Sequence, residues 1–249
     1  MIVVISPAKK LDMTRKEGVE VSQPSFISKT DELVSVMQKL SSGEISQLMG
    51  ISTNLADLNK DRFARFGTQD RKPAVFAFAG DTYQGLNPKT FADEDLVWAQ
   101  DHLRILSGLY GLLRPLDEIE PYRLEMGSRL QTDHGKNLYD FWGIELSSEL
   151  NKTAMKTDTR CLLNCASKEY FSALDINTLK LDVVTPIFLE NAASKPKIIS
   201  FFAKKARGAM ARFVIENKIT TTKELTSFDL DGYAFQPDLS DDQTLYFVR

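Results

Sequence analysis

The sequence predicts a mixed α/β (α+β) fold. It reads as a single compact domain over residues 1–249, in which helices surround a mixed sheet and two of them form a helix-hairpin-helix. Three observations predict it. Short apolar runs suited to strands alternate along the chain with segments of helical period. The 249 residues are 43 % hydrophobic and 26 % charged, ordinary globular usage that fits one large domain. No internal repeat and no Pro/Gly/Ser-rich linker divides the chain.

The first run, Met1 to Ser6, reads as a buried strand followed by the loop Pro7-Ala8-Lys9-Lys10. Residues 11–27 have no firm period and read as irregular. Leu33, Val34, Met37 and Leu40 recur at helical spacing, so Thr30 to Leu40 is a helix. Glu44 to Met49 is a short helix, Gly50-Ile51-Ser52 a turn, and Thr53 to Phe66 a second helix. Ala74 to Ala79 reads as a second buried strand ending at Gly80-Asp81. Phe91 to Ser107 is a helix whose Asp93, Glu94 and Asp95 suit the positive end of its dipole. Lys136 to Lys152 is another helix. Arg160 to Cys165, Lys180 to Leu189 and Lys197 to Phe202 read as strands, Ala203 to Asn217 as a helix, and Thr244 to Val248 as a terminal strand. No Gly-x-Gly-x-x-Gly follows a strand, and the element order is too irregular for a Rossmann assignment.

Several function classes are disfavoured. No apolar run approaches the ~18 residues of a membrane-spanning helix. The N-terminus has no basic region ahead of its apolar residues, so it reads as a strand and not as a signal peptide; a cytoplasmic protein with no membrane partner is expected. Cys161 and Cys165 share one face of a strand roughly 13 Å apart, beyond the ~7 Å that a disulfide spans. Together with His102 and His134 they match no zinc pattern. No metal or cofactor is expected, and a monomer is.

Charge is informative through its distribution. The net charge is −3, which by itself argues against a nucleic-acid ligand. Yet Lys195 to Lys218 holds seven cations against Glu216 alone, a local +6 on a body of −9. Such a patch binds polyanions locally.

Four motifs carry the candidate chemistry. In Leu48 to Ala56, two short helices flank a tight turn at Gly50-Ile51-Ser52; backbone N–H groups of such a hairpin bind phosphate, and an ordinary helical hairpin packed on the core is the alternative. Ser52 stands where this motif usually has a second glycine; Lys60, Arg62 and Arg65 follow on the next helix. The basic helix places Lys204, Lys205, Arg207 and Arg212 on one arc, with Gly208 and Ala211 at its centre, where a phosphate backbone could approach. A solvated helix face is the alternative. The stretch from Arg104 through Arg114 to Arg123 and Gly127 adds Tyr110, Tyr122 and Glu125, residue types that bind phosphate, stack on bases, or pin a loop with Arg–acid pairs. Lastly, Ser6-Pro7-Ala8-Lys9 ends the first strand. Its Ser-x-x-Lys spacing lacks the companions of the acyl transferases, so a phosphate-facing loop is preferred. Asp81, beside Tyr83, is either a turn residue or a candidate acid, base or ligand.

Taken together, these stretches resemble the bacterial YaaA family of peroxide-stress resistance proteins over nearly the whole chain. The signatures are Ser6 to Lys9, Gly80 to Leu86, Leu103 to Asp117, Pro121 to Gly127 and Ile199 to Gly208. Lys10 stands where the family often has Thr, and Phe202 where it often has Tyr. The resemblance implies a mixed α/β fold with a helix-hairpin-helix and a positively charged cleft. It also implies DNA binding, duplex or branched and with weak sequence preference, survival of hydrogen peroxide, and lower free intracellular iron. It supplies no catalytic residues. The DNA contacts expected are Lys9, Gly50, Ser52, Arg104, Arg114, Arg123, Lys204, Lys205, Arg207 and Arg212. A pocket of Ser6, Asp81, Tyr83, Tyr110, Tyr122 and Glu125 is the alternative, as an enzyme site for a nucleotide or a flipped base.

Overall fold

A computed structural model describes residues 1–191 and 196–249; Lys195, first cation of the +6 segment, lies outside them. The strands are β1 (Ile2–Ile5), β2 (Lys72–Pro73), β3 (Leu103–Ser107), β4 (Gly111–Leu113), β5 (Glu118–Ile119), β6 (Cys161–Cys165), β7 (Asp182–Leu189), β8 (Ala234–Phe235) and β9 (Thr244–Val248). The α-helices are α1 (Ile27–Gln38), α2 (Ser42–Met49), α3 (Thr53–Ala64), α4 (Ala74–Ala77), α5 (Asp81–Leu86), α6 (Asp93–His102), α7 (Leu138–Trp142), α8 (Glu145–Lys156), α9 (Lys168–Phe171) and α10 (Ser200–Glu216).

Seven strands form one mixed sheet in the order β4-β3-β1-β6-β7-β9-β8, while β2 and β5 pair separately. The central five run parallel, and the edge strands β4 and β8 are antiparallel to their neighbours. The sequence explains the layout. Ile2-Val3-Val4-Ile5 is apolar at every position and buried at every position, as a central parallel strand covered on both faces requires. By contrast β9, Thr244-Leu245-Tyr246-Phe247-Val248, buries Leu245 and Phe247 and leaves their neighbours half-exposed, the alternation of a strand near an edge.

The winding has one consequence for the site. From β1 the chain crosses to β3 and β4 on one side, then returns to build β6, β7 and β9 on the other. The direction therefore reverses between β1 and β6. At such a reversal the loops leaving the carboxyl ends of two adjacent parallel strands part and leave a crevice.

Helix α10 lies across β1, β6 and β7 and crosses α5. The crossing is backbone against backbone. A Cβ on Gly208 would fall 1.8 Å from the carbonyl oxygen of Thr82, and one on Gly85 would fall 1.9 Å from that of Lys205. Gly208 and Ala211 are thus buried inside the protein, which corrects the expectation that they form an approach for a phosphate backbone.

Four segment expectations are corrected. Residues 74–77 are a buried helix instead of a strand, because a run that is apolar all round has no period to distinguish the two. The helix begun at Asp93 stops at His102, and Leu103 to Ser107 continues as β3. Residues 136–152 divide into α7 and α8 at Gly143, whose φ of +47° is left-handed. Finally, the expected strand 197–202 is only a bridge from Lys197 to Glu190, and α10 already begins at Ser200.

The turn between α2 and α3 is built as its residues dictate. Ser41 and Glu44 form a reciprocal capping box that starts α2, and Gly50 ends it in the left-handed conformation at φ +60°. Gly50 and Ser52 are exposed. Among the described residues, no helix is long and apolar enough to cross a membrane.

Candidate functional site

The crevice between β1 and β6 is a cleft of about 450 Å³. Ser6 to Lys10 follow β1 and form one wall. Cys165, Ser167, Glu169 and Tyr170, at and beyond the end of β6, form the opposite one. Ser167 closes the floor: its backbone N–H donates to Ser6 Oγ at 2.9 Å, and the two hydroxyls lie 3.3 Å apart. Ala79 to Thr82, Glu125, and Lys204 and Arg207 of α10 complete the lining. Gly80 makes a close approach to the wall formed by the loop after β1, since a Cβ there would sit 3.0 Å from that of Ala8.

Four cations and three carboxylates share this space. Lys9 Nζ lies 3.2 Å from Glu125 Oε1, and Lys204 Nζ lies 4.0 Å from Asp81 Oδ2. The side chains of Lys10 and Arg207 have no hydrogen-bonded or ionic partner among the described residues, although the Lys10 carbonyl accepts from the Ala79 N–H at 2.9 Å. Arg207 is half-buried, and burial pulls its guanidinium below its usual pKa. Behind Glu125, Arg123 donates to Oε1 from Nε at 3.1 Å and from Nη2 at 2.9 Å. The other carboxylate oxygen, Oε2, is buried with no partner. Cys165 is fully enclosed and burial pushes its thiol up to about 12, so it stays protonated near neutrality and is no nucleophile.

The structure brings together Lys9, Lys204 and Arg207 with Ser6, Asp81 and Glu125. It places the remaining candidates elsewhere. Arg104 is buried in β3, where it donates to the carbonyls of Gln100 and Leu103 at 2.9 and 2.8 Å; burial lowers it to about 10. Arg114 grips the wholly buried Asp117 through Nε at 3.0 Å and Nη2 at 2.8 Å. Lys205 pairs with Asp231 at 3.0 Å. Arg212 caps the end of α5 through the carbonyls of Leu86 and Asn87 and pairs with Glu216. The four cations of α10 therefore do not share one solvated arc: two face the cleft and two are spent on packing. Gly50 and Ser52 do not line the cleft. Arg65, just past α3, pairs with Asp61, and Arg62 on α3 is half-buried.

The tyrosines of the expected pocket do not line the cleft, and Tyr110 borders a separate cavity beside Arg71 and Glu120. Tyr83 donates to the carbonyl of Ser6 at 3.2 Å, Tyr110 accepts from the N–H of Glu120 at 3.0 Å, and Tyr122 shares a hydrogen bond with Ser107 Oγ at 2.6 Å. Burial raises the pKa of all three, so they act as neutral hydrogen-bonding groups. Phe78 packs against Tyr83 and Tyr122 in the same layer. The aromatic that does line the cleft is Tyr170, which the sequence reading missed along with Ser167 and Glu169. One signal was present: all three follow a strand that ends at Cys165, and loops at the carboxyl ends of parallel strands are where ligands bind.

Comparison with known proteins decides the family. A family model described as peroxide stress protein YaaA matches residues 1–239. The chain belongs to the YaaA family. It is 53 % identical to a UPF0246 protein of Roseobacter denitrificans, over all of this chain and 98 % of that one. It is 51 % identical to a UPF0246 protein of Ruegeria pomeroyi, with the same coverage, and 49 % identical to one of Caulobacter vibrioides, covering 99 % of its length. Membership of YaaA makes this a protein of a peroxide-stress family.

Proposed function

We propose that this YaaA-family chain is a DNA-binding protein of the hydrogen-peroxide stress response, which protects DNA and limits damage from free intracellular iron. The observation that carries the reading is the convergence of Lys9, Lys10, Lys204 and Arg207 on one cleft in a protein of net charge −3. Cations gathered against the overall charge mark a place for an anion. Contacts of this kind go to phosphate and confer little sequence preference. The exposed turn at Gly50 and Ser52 is a second phosphate contact in this reading.

Four to six neutralised phosphates give a log–log salt slope of roughly −4 to −5 for duplex DNA. Fluorescence anisotropy of a labelled duplex, titrated across potassium chloride, measures it; affinity independent of salt would sink the reading. The double variant Lys204→Glu with Arg207→Glu is expected to lose duplex binding while remaining folded by circular dichroism. Survival of a complemented deletion strain in hydrogen peroxide should fall with it. Full survival without DNA binding would mean that DNA contact is not the protective act.

A second reading is favoured by the carboxylates beside these cations. Asp81, at the start of α5, and Glu125, in the loop after β5, line the cleft that opens beyond the carboxyl ends of the parallel strands β1 and β6, the usual place for acid–base groups in such sheets. In that reading the cleft is an enzyme site for a nucleotide or a flipped base. Incubation with a panel of damaged-base oligonucleotides tests it: product from the wild type and none from Asp81→Asn supports an enzyme, and no product from either removes it.

A further inference from the structure

We propose that a second cavity, separate from the cleft, binds a small zwitterion: a free amino acid with an apolar side chain, its carboxylate on Arg71 and its ammonium group on Asp31 and Glu118. The proposal stands on residues outside the cleft and does not depend on the DNA reading.

The pairing of β2 with β5 sets the charged groups in place. Its register aligns Lys72 with Ile119, which brings Arg71 opposite Glu120. Glu118 and Glu120 are two positions apart and share one face of their strand. Glu120 is only 2 % exposed. Its Oε1 accepts from Arg71 Nε at 3.2 Å, and its Oε2 accepts from the Gly67 N–H at 2.8 Å and from Gln69 Nε2 at 3.3 Å. A buried carboxylate held this firmly fixes the guanidinium paired with it, so the ordering cost is met before any ligand arrives. The pairing uses the Nε edge of Arg71. Nη1 and Nη2 have no partner among the described residues, and the side chain is 44 % exposed where it lines a cavity of about 250 Å³.

The rest of the lining defines the ligand. Asp31 and Glu118 line the same cavity, Asp31 exposed and Glu118 half-buried, and neither carboxylate has a partner among the described residues. Free N–H donors of one cation and two free carboxylates therefore share one cavity without pairing with each other. A ligand that is only an anion would meet the repulsion of Asp31 and Glu118, and one that is only a cation would meet that of Arg71. A zwitterion satisfies both ends: a carboxylate takes the Nη1 and Nη2 edge in bidentate fashion, and an ammonium group donates three N–H bonds to carboxylates. Apolar surface lies beside these groups. Ile27 and Val34 line the cavity together with Phe66 and Tyr110, whose ring centroids are 6.2 Å apart. That surface covers an apolar side chain. The cavity is smaller than the ~300–1,000 Å³ of sites for drug-sized ligands, which suits a molecule the size of an amino acid.

Isothermal titration of the full chain with leucine, valine and phenylalanine, at low salt, tests the assignment. Each is compared with its amide, which lacks the carboxylate, and with the matching acid that lacks the α-amino group. At least one amino acid should bind, about tenfold or more tightly than either of its analogues. Arg71→Lys keeps the charge and loses the fork, and should weaken binding about tenfold; Asp31→Asn with Glu118→Gln should do the same. Should Arg71→Lys fail to fold by circular dichroism, the carboxylate variant and the wild-type ratios decide. An absence of binding by all three amino acids overturns the proposal. So does binding no tighter than that of the amide or the deaminated acid, and so does binding that neither variant weakens. Lys204→Glu with Arg207→Glu separates the two sites. Amino-acid binding should be unchanged in that variant, whatever happens to duplex binding; its loss would move the ligand to the cleft and overturn the second site.

Discussion

Five arginines in the candidate motifs are chemically alike and structurally unlike. Arg104, Arg114, Arg123 and Arg212 are satisfied by carbonyls or carboxylates of the same chain, whereas Arg207 is left unmet at the cleft. Their residue type was legible in the sequence, but their partners lie up to 126 positions away, as for Arg212 and Leu86. Arg114→Ala would leave the fully buried Asp117 carboxylate without its cation, with Ser22 Oγ at 2.7 Å as one of its few remaining donors. Stability should fall by about 3 kcal/mol, read from the urea midpoint. His102 makes a pH prediction. Its Nδ1 meets the carbonyl of Met1 at 2.9 Å, its ring stacks on Trp98, and burial lowers its pKa from 6.5. The unfolded chain then takes up this proton at a higher pH than the folded one. Stability linked to His102 is present above about pH 6.5 and is lost as the pH falls through the lower folded value. Urea midpoints compared at pH 7 and pH 5.5 should drop for the wild type, and drop less for His102→Gln.

Elements were legible where the period was clear and misread where it was not. The helices at α1, α2, α3 and α10 and the strands β1, β6, β7 and β9 stand within a few residues of where the pattern puts them. Ala74 to Ala77 and Leu103 to Ser107 are buried at every position, and full burial erases the amphipathic signal that would identify them. The α5–α10 crossing illustrates what a helix pattern cannot reveal. Gly208 reads as the centre of a binding arc, yet it is the contact that lets α10 lie against Thr82. Gly208→Ala should therefore destabilise by about 3 kcal/mol, even though alanine is the better helix former by ~1 kcal/mol. Gly43→Ala is the control, because its Cβ would meet only Ser41 Oγ at 3.9 Å. Thermal melts should show a large loss for the first variant and none for the second.

At the scale of the whole molecule, the sheet is stitched from distant sequence. Strand β1 pairs with β3 about a hundred residues on, and with β6 about a hundred and sixty on. Contacts so far apart pay loop-closure entropy before they return any stability, and they make folding slow. A fragment of residues 1–160 keeps β1 and β3 but lacks β6, β7, β9 and α10. One edge of β1 and the face that α10 covers would then be bare. Limited proteolysis is expected to find no protected core in this fragment, against a resistant full-length chain; a resistant fragment would show that the sheet's first half folds alone.

By itself the sequence determined the α/β class, the burial of its first strand, the uneven charge and the family, because these depend on residue type, short-range order and whole-chain motifs. The cleft was decided by tertiary structure. Ser6 and Ser167 are 161 residues apart and become neighbours only because the winding reverses between β1 and β6. Likewise Lys204 and Arg207 face that cleft, while Lys205 and Arg212 do not, because the two glycines seat α10 against α5 at one particular depth and rotation. Local patterns encode which side chains a helix carries; the partners that satisfy some of them and leave Arg207 free are set by packing between elements that the chain order keeps far apart.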